Sequence, residues 1–285
     1  MEPGPHHTVG DNRDQPQGHC GDRTTVLPPQ GNKDVWCTRS TAGRPRNGRR
    51  RVSRSAGHPA GTGPGVHTRD GCAVEVYRRL PAGEDLHIVH LVAGQAATIL
   101  DLGAGAGRLA DPLGRLGHQV VAVDDSSEML SCIAHAQAVC SRIEDLYLDA
   151  HFDVVVLASH LINKPDERSR HQLLQAIARH LAPGGRALIQ WHPPIWFDGL
   201  APGAVVDDVV GDVQIRFAVD DRREEGALLD ATVTYTVDSS AWTHAFTARK
   251  IALRDLQLQA QTVGLEVHTP SDPAVTWLLA TCLVA

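Results

Sequence analysis

A glycine-rich stretch from Thr98 to Ala110, TILDLGAGAGRLA, constrains the fold of this chain more than any other feature. Its first part is apolar except for Asp101, and three glycines then alternate with alanine before an amphipathic segment, RLADPLGRL. This order predicts a strand, a glycine loop and a helix, because glycine accepts positive φ angles and leaves no Cβ between the backbone and a ligand. The helix N-terminus would add free N–H groups and a partial positive charge.

The spacing of the glycines argues against a dinucleotide site. The dinucleotide fingerprint needs a third glycine where Arg108 stands, and a pyrophosphate would sit poorly beside Asp101. Asp101 would instead suit a ligand with a cationic or amine group. A second strand, HQVVAVDD, ends in Asp124 and Asp125, and an acid at that point can bind both hydroxyls of a ribose.

In this combination the elements resemble the cofactor-binding motifs of the class I S-adenosylmethionine (SAM)-dependent methyltransferases. FDVVVLASHLIN is similar to the fourth strand of that family, and LLQAIARHLAPGGRALIQW is similar to its next helix, turn and strand. The resemblance covers about residues 68–285 and implies SAM as cofactor, with S-adenosylhomocysteine as product. It is specific for fold and cofactor, and it says little about the methyl acceptor.

The resemblance implies that the loops at the carboxyl ends of the strands hold the cofactor. The first loop would cradle the methionine portion, the second would bind the ribose and the adenine, and the third would contact the adenine. Tyr77, on a short N-terminal helix, is a candidate for the methionine end, with core packing as the alternative. The candidate cofactor-binding residues are Tyr77, Asp101, Gly103, Ala104, Gly105, Gly107, Asp124, Asp125, Met129, Ile143, Glu144 and Ser159.

Several of these positions have a structural alternative. Asp101 could be a structural hydrogen-bonding residue, and Asp124 could be a turn or cap residue. Many members of the family carry an acid where Arg142 stands, which leaves Glu144 or a backbone carbonyl to bind the adenine amino group. Arg79 could bind the methionine carboxylate, but a role as surface charge is favoured.

The fourth loop, ASHLINKPD, bears on the chemistry. Some methyltransferases of amino groups on bases or glutamine carry an Asn/Asp-Pro-Pro-aromatic motif there, and its absence argues against those acceptors. Proximity and alignment can supply most of the rate gain of methyl transfer. His160 is a candidate general base, with a hydrogen bond to the cofactor or backbone as the alternative, and His192 is a second candidate.

Strands and helices alternate through the middle of the chain, which predicts a doubly wound, parallel α/β sheet. The resemblance implies a Rossmann-like sheet of seven strands, mostly parallel, with GLEVHT and TWLLATCLVA as an antiparallel edge pair. Alternating polarity predicts a small antiparallel β insertion at about 205–250, forming a wall or lid over the acceptor site. Strands are expected near 97–102, 119–124, 138–140, 153–158 and 185–191, and helices near 107–116, 126–137 and 166–181.

Composition limits the domains and the partners. Residues 1–67 are rich in Gly, Pro, Arg, His and Ser and are predicted to be a disordered tail, followed by the methyltransferase domain at 68–285. The basic run RPRNGRRRVSRS would suit nucleic acid or an acidic partner, but a solvated tail is the simpler interpretation. The net charge of −6 is the sum of a basic N-terminal segment and an acidic remainder, and the acidic remainder argues against a domain that binds nucleic acid.

The sequence shows neither a membrane-length apolar span nor a secretory signal. The six cysteines form no C-x-x-C pair, so we expect buried thiols in a reducing cytoplasm and no metal site. The Gly-, Ala- and Arg-rich composition resembles that of high-GC bacterial proteins, and proteins of this shape often tailor natural products. We therefore expect a cytoplasmic monomer or homodimer that methylates an oxygen or nitrogen of a small molecule.

Three other functions stay open at this point. A protein of this fold could bind SAM without transferring its methyl group, as a cyclase or a regulatory binder. A nicotinamide-dependent oxidoreductase is disfavoured by Asp101 and Arg108. A nucleic-acid methyltransferase would depend on the basic tail alone.

Overall fold

A computed structural model of the protein describes residues 60–283, which form two β-sheets and seven α-helices. None of these helices is long and apolar enough to cross a membrane. The helices are α1 (Val74–Tyr77), α2 (Gly83–Ala93), α3 (Ala110–Arg115), α4 (Ser127–Leu130), α5 (Glu167–His180), α6 (Pro194–Asp198) and α7 (Leu253–Gln261). The strands are β1 (Ala60–Thr62), β2 (Thr98–Leu102), β3 (Gln119–Asp124), β4 (Gln137–Cys140), β5 (Phe152–Leu157), β6 (Leu181–Gln190), β7 (Val205–Val210), β8 (Val213–Arg223), β9 (Leu228–Val237), β10 (Ser240–Arg249), β11 (Leu265–Val267) and β12 (Trp277–Cys282).

The main sheet has seven strands in the order β11-β12-β6-β5-β2-β3-β4. Strands β2 to β6 pair in parallel, whereas β12 and β11 add an antiparallel edge. The central strands are buried on both faces, as their continuous apolar runs require. The doubly wound, mostly parallel fold is thereby confirmed, and the carboxyl ends of β2 to β6 meet at one edge.

Helix α5 illustrates how local signals set the boundaries. Asp166 accepts a hydrogen bond from the backbone N–H of Ser169 at 2.7 Å, which caps the helix as a short acidic side chain should. The apolar stripe of Leu173, Leu174 and Ile177 is buried against the sheet. The Pro-Gly-Gly turn after α5 lies within β6, where the pairing with β5 shifts register, and not before the strand.

The predicted helix at 126–137 is wrong beyond its first turn, because α4 ends at Leu130. The carboxylate of Asp111 accepts hydrogen bonds from the backbone N–H groups of Ala134 and His135 at 2.9 and 2.7 Å. These two groups would otherwise have continued the helix. The chain also passes so close to Gly114 that a Cβ there would lie 1.9 Å from the carbonyl oxygen of His135. Contacts with α3 therefore turn the segment into β4.

The second sheet is wholly antiparallel, in the order β1-β10-β9-β8-β7. Its strands β7 to β10 occupy the predicted insertion. Alternate side chains on one face are buried and form a core with α1 and α6, to which Val76 and Phe197 contribute. Helix α6 directly follows β6 and thus joins this sheet to the edge where the loops of the main sheet meet.

The described chain enters the fold before the predicted boundary at residue 68. Strand β1 pairs with β10, and Pro64 O accepts a hydrogen bond from the indole N–H of Trp242 at 2.7 Å. Gly63 packs so closely on that indole that a Cβ would lie 2.5 Å from its Cδ1. The sequence does not predict this strand, because the glycines and prolines around it are typical of loops. The prediction for residues 1–59 lies outside the described residues.

Candidate functional site

The glycine loop after β2 is tied directly to the end of β3. The backbone N–H groups of Gly103 and Ala104 both donate to Val123 O, at 2.8 and 2.9 Å. The N–H of Gly105 donates to Asp124 Oδ2 at 2.9 Å, while Asp124 Oδ1 accepts from Ser126 N–H at 3.0 Å. A carboxylate accepts about four hydrogen bonds, so Asp124 keeps capacity for a ligand. The structure therefore brings the first two predicted loops together.

Two of the glycines leave room that a side chain would close. Gly105 has φ +56° and faces Tyr77, whose Cδ1 would be 3.9 Å from a Cβ built at Gly105. Gly103 has φ +76°, and a Cβ there would lie 2.6 Å from Leu161 Cδ1 and 3.7 Å from Ile143 Cδ1. Tyr77 and Ile143, predicted from different parts of the chain, thus both lie beside this loop.

Asp101 is the most unusual group at this edge of the sheet. Its side chain is 2% exposed, and its Oδ1 has no hydrogen-bond partner among the described residues. Burial raises the pKa of Asp101 to about 7, the charge of Asp124 adds to the rise, and Arg108 opposes it. An unpaired buried acceptor is costly unless a ligand donates to it. Asp101 is therefore preorganised for a cation or an N–H donor.

Of the other predicted cofactor residues, some are buried and some are at least partly exposed. Ala104 and Met129 are buried, and Met129 N–H donates to Ser126 Oγ at 3.2 Å. Asp125 is exposed, and Glu144 forms an ion pair with Arg142. Gly107, with φ +86°, is packed on Ile133 and Asp111 beneath the loop.

The fourth loop turns sharply after β5. Ser159 and His160 both have φ of 56°, a left-handed conformation that non-glycine residues rarely adopt. The N–H of Ser159 donates to Gln190 Oε1 at 2.7 Å, which secures the turn to the end of β6. Strained backbone of this kind persists only where surrounding contacts hold it, and it concentrates at functional sites.

Three aromatic rings are stacked in parallel behind this turn. The ring centroids of His160 and His192 are 3.6 Å apart, and those of His192 and Trp196 are 3.7 Å apart. His192 therefore has both ring faces covered, and half-buried His160 lies at the end of the stack. Burial lowers the pKa of His160 to about 4, and burial and the adjacent His160 lower the pKa of His192 well below its usual value. Both imidazoles are neutral at neutral pH.

Asn163, a residue that sequence reasoning missed, anchors His192. Its Oδ1 accepts from His192 N–H at 2.8 Å, and its Nδ2 donates to His192 O at 3.3 Å and Arg249 O at 2.9 Å. Asn163 is 2% exposed, so these bonds are made away from water. It links the fourth loop to the end of β6 and to the last strand of the antiparallel sheet.

Replacing Asn163 by alanine is expected to lower the free energy of unfolding by about 2–4 kcal/mol, because buried backbone groups would lose their partner. Urea denaturation followed by circular dichroism would measure the change. Asn163→Asp keeps an acceptor for His192 N–H but sets a buried carboxylate oxygen against the carbonyl oxygens of His192 and Arg249, so it should be at least as destabilised as Asn163→Ala. A loss below about 1 kcal/mol for Asn163→Ala would show that these bonds do not hold the loop.

Sequence reasoning also missed Asp85, on the first turn of α2. Its carboxylate accepts from Arg108 Nη1 at 2.8 Å, from Trp277 Nε1 at 2.9 Å and from Gln190 Nε2 at 3.2 Å. Gln190 ends β6, so the rule that functional groups follow strand ends could have found it. No local signal distinguishes Asp85 from other acids at helix starts.

Aromatic residues of the antiparallel sheet pack against those of α1 and α6. The centroids of Trp196 and Phe217 are 5.7 Å apart, and the rings of Tyr77 and Tyr235 meet edge to face at 6.4 Å. Trp242 and Phe197 lie in the core that this sheet forms with α1 and α6. Trp191 lies in the main core instead, and Phe246 packs against the core of the antiparallel sheet. Arg79 pairs with Glu75 and Asp212, at 2.9 and 2.8 Å, and is surface charge.

Part of this chain is similar to known methyltransferases. Residues 100–189 match a family model described as a methyltransferase domain. The cypemycin N-terminal methyltransferase of a Streptomyces species is 36% identical over 107 residues, which cover 35% of this chain and 44% of that protein. The chain thus spans less than half the length of this curated relative.

Solved structures with the same fold are more complete matches. The CcbJ methyltransferase from Streptomyces caelestis has a TM-score of 0.60 and 20% identity, and the alignment covers 74% of this chain and 96% of that chain. The sugar N-methyltransferase KedS8 from Streptoalloteichus sp ATCC 53650 has a TM-score of 0.57 and 17% identity, with 85% and 100% covered. At these identities the likeness establishes the fold.

Proposed function

We propose that this chain is a class I SAM-dependent methyltransferase that transfers the methyl group of SAM to an oxygen or nitrogen atom of a small molecule. The observation that carries the proposal is the pairing of two acidic residues across one glycine loop. Asp101 is buried with an unpartnered oxygen, and Asp124 holds the loop while keeping capacity for further donors. These are the groups that an ammonium and a ribose require.

The described residues fit SAM. We assign Asp101 to the ammonium, the backbone of Gly103 to Gly105 to the methionine portion, and Asp124 to the ribose hydroxyls. Ile143 and Leu161, which flank Gly103, supply an apolar surface for the adenine. SAM, when bound, supplies a methyl group on a positively charged sulfur atom. The ion pair of Glu144 with Arg142 favours a backbone carbonyl as the partner of the adenine amino group.

His160 is assigned to the acceptor side. A neutral imidazole with one unprotonated nitrogen can accept a hydrogen bond from a hydroxyl or a neutral amine and so direct the lone pair of the acceptor. An acceptor hydroxyl that has gained the methyl group and still carries its proton is an oxonium ion, which is strongly acidic, so even a base with a pKa of about 4 can take that proton. Such a base is too weak to deprotonate an ammonium, and an amine acceptor would have to bind in its neutral form. His192, with both faces covered, supports the ring of His160.

The substrate class is proposed from the walls of the site and from the relatives. Trp196, which is half-buried and stacks on His192, gives the acceptor side an aromatic surface suited to a small organic molecule, with buried Phe217 packed behind it. The relatives named above act, by their names, on the N-terminus of cypemycin and on a sugar nitrogen. We propose a secondary metabolite as acceptor, without a nucleic acid or a membrane as partner.

We place the protein in the cytoplasm as a monomer or homodimer. The described cysteines are all free thiols, which suits a reducing compartment. They are Cys72, Cys132, Cys140 and Cys282. Light scattering of the full chain would establish its oligomeric state, and localisation of the tagged chain in its host would test the compartment.

Calorimetric titration of the full chain with SAM, S-adenosylhomocysteine and NAD tests the cofactor assignment. We expect binding of both adenosyl ligands and none of NAD. Asp124→Ala should weaken SAM binding by about 50-fold or more, because two hydrogen bonds to a charged group are lost. The exposed Asp149→Ala serves as control for the loss of one negative charge, and it should bind SAM like the wild type.

The methyl transfer itself is tested by following S-adenosylhomocysteine formation across hydroxyl- and amine-bearing small molecules. Formation that depends on the acceptor supports the proposal. Tight SAM binding without turnover of any acceptor would instead indicate a SAM-binding protein that does not methylate. Absence of adenosyl binding would overturn the proposal as a whole.

A further inference from the structure

A continuous chain of hydrogen bonds joins the glycine loop to the turn that carries His160. Arg108, directly after the loop, donates to Asp85 at 2.8 Å, and Asp85 accepts from Gln190 Nε2 at 3.2 Å. The other end of the same amide, Gln190 Oε1, accepts from Ser159 N–H at 2.7 Å. These hydrogen bonds therefore connect the cofactor side of the site with the acceptor side, through side chains that were not predicted to belong to either side.

Asp85 lies in the middle of this series of hydrogen bonds and is itself held in one position. Its carboxylate is 22% exposed and also accepts from the indole N–H of Trp277 at 2.9 Å. Three donors from three different elements, including the charged Arg108, define its position, and charge-assisted bonds of this kind are short and strong. The carboxylate in turn fixes the orientation of the Gln190 amide, because only the NH₂ group can face it.

On the acceptor side, this series of hydrogen bonds ends at a turn with a strained backbone. Ser159 and His160 both have φ of 56°, and the hydrogen bond from Gln190 reaches the first of these two residues. Among the described residues, Gln190 Oε1 is the hydrogen-bond partner that holds the N–H of Ser159 in this turn. A released turn would move toward an ordinary backbone conformation and carry the His160 ring away from its stack on His192.

We propose that Gln190 and Asp85 are positioning residues, which hold the Ser159–His160 turn so that the His160 ring faces the acceptor, and that Arg108 couples this turn to the glycine loop. The inference rests on the role proposed for His160. Three charged or titratable groups face His160. They are His192, which follows β6, Asp85 on α2, and Arg108 in the loop before α3.

Gln190→Met tests the proposal, because methionine has a similar length and makes neither hydrogen bond. We expect SAM affinity within about threefold of the wild type and kcat/KM for the acceptor lowered by about 100-fold, since small displacements of a catalytic group cost this much. Gln190→Glu keeps an acceptor for Ser159 N–H but places a second carboxylate against Asp85, so it should lower kcat/KM at least as much as Gln190→Met. Gln259→Met, on α7, is the matched control and should behave as the wild type.

A second readout does not depend on turnover. The imidazole C–H resonance of His160, assigned by its absence in His160→Gln, reports the protonation of the ring in a pH titration of the unliganded chain. The wild-type ring should titrate near pH 4, and Gln190→Met should move this value toward the ordinary 6.5 by about one unit or more as the ring becomes solvated. Asp85→Asn, which preserves the side-chain shape, should shift it in the same direction and replaces Gln190→Met if that variant does not fold.

An unchanged His160 titration in both variants would overturn the positioning role, whatever the activity. Loss of SAM binding together with loss of folded signal in both variants would count against it as well, because a merely structural role predicts that outcome. If the wild type methylates no acceptor, the proposed function fails, but the titration still decides whether Gln190 and Asp85 position the ring. The two failures are thereby distinguishable.

Discussion

Asp101→Asn is expected to weaken SAM binding by about 100-fold or more while making the unliganded protein more stable. The loss of affinity follows from removing a charged acceptor from an ammonium in a buried site. The gain in stability follows from the raised pKa of Asp101, about 7 in the fold against 3.8 ordinarily. Between these values the unfolded chain loses the proton and the folded chain keeps it, so stability falls as pH rises. Asparagine removes this penalty, which is of the order of a few kcal/mol above pH 7.

The same carboxyl predicts a proton linkage. At pH 7 the free protein carries Asp101 about half protonated, and an ammonium beside it favours the ionised form. SAM binding should therefore release about half a proton at this pH, and the amount should decrease toward pH 9. Calorimetry in buffers of different ionisation enthalpy measures this number directly. Asp101→Asn should release none.

The exposed Asp149→Asn provides the matched control for Asp101→Asn. It should leave SAM affinity, proton release and the pH dependence of unfolding unchanged. If Asp101→Asn binds SAM as tightly as the wild type, Asp101 is a structural hydrogen-bonding residue and the ammonium is held elsewhere. If the variant is less stable than the wild type at pH 8, burial of the carboxyl does not penalise the unliganded fold.

The parallel sheet could be predicted because its signals are local. The apolar run of DVVVLA, the glycines after β2 and the cap at Asp166 each specify a short piece of structure without help from distant residues. The placement of Asp124 beside the glycine loop also followed, because carboxyl ends of adjacent parallel strands meet at one edge. These signals gave the fold and the acidic pair of the site.

The remaining features depend on contacts between distant residues. Helix α4 stops early because Asp111, about twenty residues earlier, takes the N–H groups that would have extended it. The network of Asp85 and Gln190 joins residues more than 100 positions apart, and no spacing rule connects them. Neither the left-handed turn at His160 nor its stack on His192 has a local cause, since neighbouring elements impose both.

The largest effect on turnover is expected for His160→Gln, which should lower kcat by about 100-fold or more while leaving SAM affinity unchanged. A positioned base or hydrogen-bond acceptor contributes this much to proton transfer. Glutamine can still form a hydrogen bond but cannot hold a proton, so the variant separates orientation from acid–base chemistry. His151→Gln, at an exposed position before β5, is the matched control and should retain wild-type kcat.

The pH profile distinguishes His160 from an ordinary catalytic histidine. With a pKa of about 4, His160 is already neutral at pH 5.5, so kcat at saturating SAM should stay flat through pH 6.5 with an acceptor hydroxyl that does not ionise there. By contrast, kcat/KM for SAM should fall below pH 7, because protonation of Asp101 in the free protein removes the partner of the ammonium. A limb in kcat near pH 6.5 that disappears in His160→Gln would contradict the burial of the ring. Two separate limbs, one confined to kcat/KM for SAM and one near pH 4 in kcat, would assign the cofactor and acceptor sides to Asp101 and His160 independently.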